Sequence, residues 1–458
     1  MVSQRQTLTV DPVREAAFRS LRRITEKAGY VNIIVDATLE RYRWPDRDRK
    51  LYTTLVYGTL RHQGLIDWVL AQRMGRKFPR KIDPPILTVL RMGVYQILFL
   101  SRTPKYAAVD ESVNLAKKHG HQGSASLVNA VLRATPRDPQ AIELPDKAEH
   151  PALYIATRYS HPLWLVERWS AAWGVEQTER LCAANSGVAP LTVRANTLKV
   201  AIGQLEWRLR AERVSVRKNT DVPEEFEIVG SPRPLRALRS FRDGLFHIQD
   251  ASSMSACHLL APNPGETVID LCAGPGGKTT HLAQLMQNQG KIYAVDVQPH
   301  RLRLIRESCK MLGVTMVRCV QGDARRVSER ELPEADRVLL DAPCTGTGTL
   351  RRRVDLKWRL SSEDFGRLAC MQRELIAAAA LVLKPGGVLV YSVCSIDRAE
   401  TDEVVEAAFL HAHNLTLDDT SPSWMSRFRT PERTFRIMPG DTGMDGFFMA
   451  RFVKNGLT

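Results

Sequence analysis

Residues Thr267 to Gln287 read TVIDLCAGPGGKTTHLAQLMQ. The run TVIDL is apolar and β-branched, as a buried strand is, and KTTHLAQLMQ has helical spacing. Between them lies a turn rich in glycine and proline. A strand that feeds a helix through such a turn brings backbone N–H groups up to a ligand at the helix N-terminus. A phosphate-binding P-loop would need glycine where Cys272 stands, so GxxxxGK[ST] is not met, and GxGxxG is also imperfect. By itself the stretch points to a nucleotide-like ligand.

The same alternation continues downstream. KIYAVDV (Lys291 to Val297) precedes the helix PHRLRLIRESCKML, and MVRCVQGDA and RVLLDAPC follow. The long helix FGRLACMQRELIAAAALVL precedes GVLVYSVCS, and GFFMARFV reads as a last strand. Strands alternating with helices predict a parallel sheet with helices on both faces. Acidic residues recur at the strand ends: Asp270, Asp296, Asp323 and Asp341. Such residues in a doubly wound sheet hydrogen-bond ribose and base, so an adenosine cofactor is expected.

Two cysteines end neighbouring strands, Cys344 in VLLDAPC and Cys394 in YSVCS. Both should face the cofactor cleft. A thiolate is a strong, soft nucleophile when positive charge stands nearby. Cys182, Cys257, Cys309, Cys319 and Cys370 are read as small core residues, and Cys272 as packing beside the cofactor loop.

Upstream the pattern is different. Residues 1 to about 140 carry helical periodicity through VREAAFRSLRRI, RKLYTTLVYGTLRHQGLIDWVL, PPILTVLRMGVYQILFL and ASLVNAVLRA. Asp11-Pro12 reads as the cap and first residue of the first helix. Basic clusters stand at Arg73 to Lys81 and Ala116 to Gly123, where solvated faces and RNA contact are both open readings. Between about 150 and 240 short helices mix with short strands such as LTVRANT, VSVRKN and FEIVG. In HPLWLVERW the tryptophans serve either base stacking or core packing. The expected partition is 1–145 helical, 146–240 small α+β, and 241–458 α/β with a Rossmann-like sheet.

Composition narrows the partners. The 458 residues are 44% hydrophobic and 25% charged, the balance of an ordinary soluble multidomain protein. No run of about 18 apolar residues is present, so no membrane span is expected. The net charge of +15 favours a polyanionic partner. Eight cysteines without a CxxC pair argue against a zinc site or a disulfide framework, so no metal is expected and a reducing cytoplasm fits. The start, MVSQRQTLTVDPVREAAFRSLRR, carries acidic residues and lacks an apolar signal core. With no coiled-coil pattern, a monomer is expected.

The series CAGPGGK, Asp296, GDA, DAPCTGTG, RRRVDLKW and YSVCS resembles the motifs of RNA 5-methylcytosine methyltransferases. HIQDASS (His247 to Ser253) and MPGDTGMDGFF (Met438 to Phe448) are similar to the same family. Together they span most of residues 240 to 455 in the family's order. The helical front looks like a NusB-type RNA-binding domain, a combination that resembles the ribosomal RNA small subunit methyltransferase B group, also called Sun or Fmu. Two departures are visible. CAGPGGK stands where CAAPGGK is common, and Val393 precedes the cysteine where threonine is frequent.

The resemblance implies transfer of a methyl group from S-adenosyl-L-methionine (SAM) to C5 of a cytosine in small-subunit rRNA, in a single strand or hairpin loop. It implies Cys394 as nucleophile toward cytosine C6 and Cys344 as the residue assisting release. Asp341 and Lys278 would hold the base. Cys272, Ala273, Gly274, Pro275, Gly276, Gly277, Lys278, Asp296, Asp323 and Asp341 would hold the cofactor. The alternatives are the same chemistry on transfer RNA, and a non-catalytic RNA-binding or antitermination-type assembly factor.

Overall fold

The computed structural model describes residues 10–26, 29–75, 82–218, 222–329, 332–411 and 414–456. The chain divides into two compact units. One runs to Gly187 and takes in Leu350–Leu360; the other comprises Val188–Thr349 and Ser361 onward.

The first unit is helical. Its helices are α1 (Pro12–Glu26), α2 (Val31–Arg41), α3 (Asp46–Arg61), α4 (Gln63–Met74), α5 (Pro84–Phe99), α6 (Lys105–His119) and α7 (Ser124–Ala134), followed by α8 (Pro151–Arg158), α9 (Leu163–Trp173) and α10 (Val175–Ser186). The Asp11 carboxylate accepts from Arg14 N at 2.8 Å and Pro12 opens α1, as the sequence predicts. Helix α1 buries Val13, Ala16, Ala17, Phe18, Leu21 and Ile24, a single face at helical spacing. Helix α5 is buried nearly all round and forms the centre. Gly58 on α3 lets it approach: a Cβ there would lie 2.0 Å from the Tyr95 ring. Trp169 is fully buried, so core packing is its use. The basic cluster at residues 73–81 lies outside the described residues from 76 on. In the other, Lys118 pairs with Glu15 at 2.8 Å.

The segment RRRVDLKW, expected within the α/β region, is built into this helical unit. Val354 joins its core, Trp358 Nε1 donates to Leu60 O at 3.0 Å, and Lys357 Nζ donates to Arg61 O at 3.2 Å.

The second unit opens with a small antiparallel sheet. Strands β1 (Leu191–Ala195), β2 (Ser215–Lys218), β3 (Glu225–Gly230) and β4 (Phe246–Ile248) run in the order β2-β3-β1-β4. Helices α11 (Ile202–Ala211) and α12 (Arg239–Arg242) accompany it, and Val193, Leu205, Leu209, Phe226 and Phe246 fill its core. Strand β4 lies past residue 240, inside the HIQD stretch, and pairs with β1.

The large sheet follows helix α13 (Ala251–Leu260). Its elements are β5 (Thr267–Leu271), α14 (Gly277–Leu285), β6 (Lys291–Asp296), α15 (Pro299–Leu312), β7 (Val317–Gln321), β8 (Ala335–Asp341), α16 (Ser362–Leu381), β9 (Leu383–Val393), α17 (Asp402–His411), β10 (Leu415–Leu417), β11 (Phe435–Ile437) and β12 (Phe447–Lys454). The strand order is β10-β12-β9-β8-β5-β6-β7, with β11 beside β12. Strands β5 to β9 are parallel, as predicted. Strand β12 is antiparallel to β9 and to β10, so the sheet is mixed. The crossover through α17 sets β10 one strand away from β9, and β12 fills the gap from the opposite direction. The order reverses between β5 and β8, which opens a crevice at their carboxyl ends.

Candidate active site

The loop after β5 is shaped by backbone conformations that few residues adopt. Cys272 has φ 61° and Gly276 has φ 102°, and the Gly274-Pro275 bond is cis. Gly274 N donates to Asp296 Oδ2 at 3.0 Å. A Cβ on Gly274 would lie 2.6 Å from that oxygen and 2.5 Å from Arg301 Cβ, so only glycine fits. Gly276 instead packs under α15, where a Cβ would meet Ile305 at 2.9 Å.

The strand-end acids have different surroundings. Asp270 is fully buried and accepts from Thr279 Oγ1 at 2.6 Å. Burial pushes its carboxyl up to about 7, and the Asp341 and Asp296 charges add to that, against the Thr279 bond. Asp296 also accepts from Gln298 N at 2.8 Å, and Arg301 lies 3.6 Å from it. Asp323 pairs with Arg325 at 2.7 Å, and that hydrogen bond holds its carboxyl below the usual range.

Two cavities meet at Cys272. One, of about 600 Å³, is lined by Asp296, Val297, Asp323, Pro343 and Met371 among others. The other, of about 620 Å³, is lined by His247, Gln249, Asp250, Gly277, Lys278 and Asp341, with Ala273, Gly274 and Pro275. The first has an apolar wall and acidic groups suited to an adenosine, and the second reaches Lys278 and Asp341.

Lys278 stands in the first turn of α14, the dipole-positive end, where a cation is disfavoured unless an anion offsets it. Asp341 is that anion, 2.8 Å from Nζ. Burial alone would pull the Lys278 ammonium down, but the charge and hydrogen bond of Asp341 outweigh it and hold it up. Ser392 Oγ donates to the other Asp341 oxygen at 3.0 Å.

The two thiols come together. Strands β8 and β9 are neighbours with Asp341 opposite Ser392. Just beyond that pair, Cys344 Sγ lies 3.4 Å from Cys394 Sγ. The Cys394 contact, then burial, then the Glu400 and Asp341 charges push the Cys344 thiol well above its ordinary range, so it stays protonated. Among the cysteines read as core residues, Cys182, Cys257 and Cys309 are buried and Cys319 is half-buried. Cys370 is a correction: it is exposed. It follows the buried Ala369 on α16, and one helical step of about 100° turns it to solvent.

Several site residues escaped the sequence reading. Arg194 on β1 is fully buried and donates to Gly277 O at 2.8 Å and Thr280 Oγ1 at 3.1 Å, tying the small sheet to the start of α14. Its only signal was a charge inside the strand LTVRANT. Ser392 and Glu400 flank Cys394 in sequence, but their role depends on contacts across strands.

Among the described residues one group has metal-ligand spacing: Glu224, His258 and His281. Glu224 Oε1 accepts from His258 Nε2 at 2.8 Å and His281 Nε2 at 2.5 Å. These bonds direct both Nε2 atoms at the carboxylate rather than at an ion. His281 Nδ1 has no partner, whereas a metal-bound histidine needs that nitrogen to donate, so the group does not fit a metal.

Comparison with known proteins agrees with this architecture. The model for 16S rRNA methyltransferase RsmB/F matches residues 257–453, the NusB family model 11–137, and a RsmF/B-like ferredoxin-like domain 161–231. A probable ribosomal RNA small subunit methyltransferase B of Bacillus subtilis is 35% identical over 97% of this chain and 99% of its own length. Ribosomal RNA small subunit methyltransferase B of Klebsiella pneumoniae is 32% identical over 96% and 98%. The crystal structure of PH0851 aligns with TM-score 0.81 and 30% identity, covering 97% of this chain and 99% of that one. With matches of that extent along both units, the chain belongs to the RsmB/F family of 16S rRNA methyltransferases, in the form that carries a NusB domain at its front.

Proposed function

We propose that this protein methylates C5 of a cytosine in small-subunit rRNA, with SAM as methyl donor and a covalent bond between Cys394 and cytosine C6. The observation that carries this reading is the pair of thiols 3.4 Å apart at the ends of β8 and β9, beside the Lys278–Asp341 ion pair.

Asp296 and Asp323 would hold the ribose and adenine of the cofactor, and the Cys272–Lys278 loop would approach its amino-acid end. The cleft beside Asp296, and a loop that leaves no room for a Cβ at Gly274, fit such a ligand. When bound, SAM supplies an electrophilic methyl group.

Cytosine C5 is a poor nucleophile. Addition of the Cys394 thiolate at C6 makes C5 enamine-like and splits one hard step into two. Asp341, held by Lys278 and Ser392, accepts from the N4 amino group and fixes the base edge. After methylation a base takes the C5 proton, the C5–C6 double bond re-forms, and the C6–S bond breaks with Cys394 leaving as thiolate. Cys344, held protonated, assists that release. The base must leave its stack to reach the thiol, which costs least in a single strand or loop. The net charge of +15 supplies salt-dependent affinity for the RNA backbone.

The test is transfer of labelled methyl from SAM to unmodified small-subunit rRNA, with the product base identified. Label in 5-methylcytosine of that RNA supports the reading. Label only in transfer RNA overturns the substrate, and no label with intact SAM binding overturns the chemistry.

A further inference from the structure

The ladder between β8 and β9 ends where the chemistry begins. Asp341 opposite Ser392 is the last registered pair, and Ala342 N donates to Ser392 O at 2.9 Å. Cys344 and Cys394 lie beyond it, on segments that leave the sheet. Something other than strand pairing must fix the distance between their sulfurs.

The Glu400 carboxylate reaches both segments. Its Oε1 accepts from Thr345 N at 2.8 Å, and its Oε2 accepts from Ser395 Oγ at 2.6 Å. Thr345 Oγ1 also donates to it. Thr345 follows Cys344 and Ser395 follows Cys394, so one side chain grips the residue after each thiol. Gln372 Nε2 donates to Glu400 Oε1 at 3.2 Å and to Pro343 O at 2.8 Å, which holds the residue before Cys344 to the same centre. The Glu400 backbone is fixed in turn, because Tyr391 OH donates to its carbonyl at 2.7 Å. Glu400 is fully buried.

The two carboxylate oxygens accept each of these bonds, and two of the donors, the Thr345 N–H and the Gln372 NH₂, cannot accept. Burial raises the Glu400 carboxyl above its ordinary range, these hydrogen bonds oppose that rise, and an ionised carboxylate has the acceptor capacity they need. An apolar residue would leave these buried donors unpaired, and a shorter acid would not span both segments.

We propose that Glu400 is a positioning residue for the two-thiol site, holding Cys344 and Cys394 at reacting distance by bridging Thr345 and Ser395. It touches neither thiol in this role and acts through the residues that follow them. Its consequence for catalysis rests on the function proposed above; its effect on the thiol pair does not.

The experiment compares wild type with Glu400→Gln and Glu400→Ala in the full chain. Diamide takes the hydrogens of two thiols as their S–S bond forms, so the rate of a Cys344–Cys394 disulfide, read by peptide mass, measures how well the sulfurs are held together. Wild type should form it readily. Glu400→Ala should slow it at least tenfold, and Glu400→Gln, which keeps an acceptor for Thr345 N, should fall between. With the labelled assay, kcat should drop by about 100-fold in Glu400→Ala, the scale of a displacement of about 1 Å at a reacting centre. SAM affinity by calorimetry should stay within about twofold, because Glu400 is remote from the cofactor loop in the contacts it makes. Unchanged disulfide rate and kcat in folded Glu400→Gln and Glu400→Ala would overturn the proposal and leave a purely structural acid. If wild type methylates no cytosine while the disulfide rates still separate as predicted, the proposed function falls and the positioning role stands.

Discussion

Lys278 Nζ lies 2.8 Å from Asp341 Oδ2. One residue lies in the first turn of the helix after β5 and the other ends β8, so the ion pair spans the point where the strand order reverses. It brings the loop after β5 and the thiol-bearing strands into one electrostatic unit.

Lys278→Met should remove the cation and leave Asp341 hydrogen-bonded to Ser392. Loss of a fixed charge at a site of this kind lowers kcat on the order of 100-fold. Leaving a half-buried carboxylate without its ion partner should cost about 1–3 kcal/mol, measured by urea unfolding. A variant with wild-type kcat would remove Lys278 from the mechanism.

Gly274→Ala should act on the cofactor. The added Cβ meets Arg301 Cβ at 2.5 Å and Asp296 Oδ2 at 2.6 Å. Relief requires the loop or the Asp296 carboxylate to move. SAM affinity by calorimetry should fall about tenfold, a loss of about 1.4 kcal/mol. Unchanged affinity would mean that the loop does not approach the cofactor.

Asp270 predicts a pH dependence of stability. Burial first, then the Asp341 charge, raises its folded carboxyl to about 7, above an unfolded value of about 4. The folded state therefore holds a proton that the unfolded state releases across that window. Its contribution is fully present below about pH 4, is lost as pH rises toward about 7, and is flat above. The window allows at most about 4 kcal/mol. Asp270→Asn should lack this component, so the difference in unfolding free energy between variant and wild type should shift in favour of the variant from pH 4 to 7. A constant difference would contradict the burial argument.

How much of this was legible in the sequence depends on the range of the interaction. The turn from β5 into α14 could be read because glycine, proline and the change from strand to helix spacing are local signals. The strand-end acids and both thiols could be placed because alternation puts every parallel strand's carboxyl end on one edge. The direction of β12 could not, since GFFMARFV has the same composition in either orientation. The three residues of β4 are too short for a period and pair with β1 across about fifty residues of chain. Arg194 and Glu400 are buried charges whose partners lie far along the chain. RRRVDLKW sits between two α/β strands in sequence, yet its Val354 packs in the helical core. No local pattern encodes that.

In the proposed mechanism Cys394 attacks and Cys344 assists release. The direct test incubates wild type, Cys394→Ala and Cys344→Ala with methyl-labelled SAM and unmodified small-subunit rRNA, then separates products on denaturing gels. Cys394→Ala should give no label and no adduct, and Cys344→Ala an accumulating protein–RNA adduct. An inactive Cys344→Ala together with an RNA adduct trapped by Cys394→Ala would contradict that mechanism.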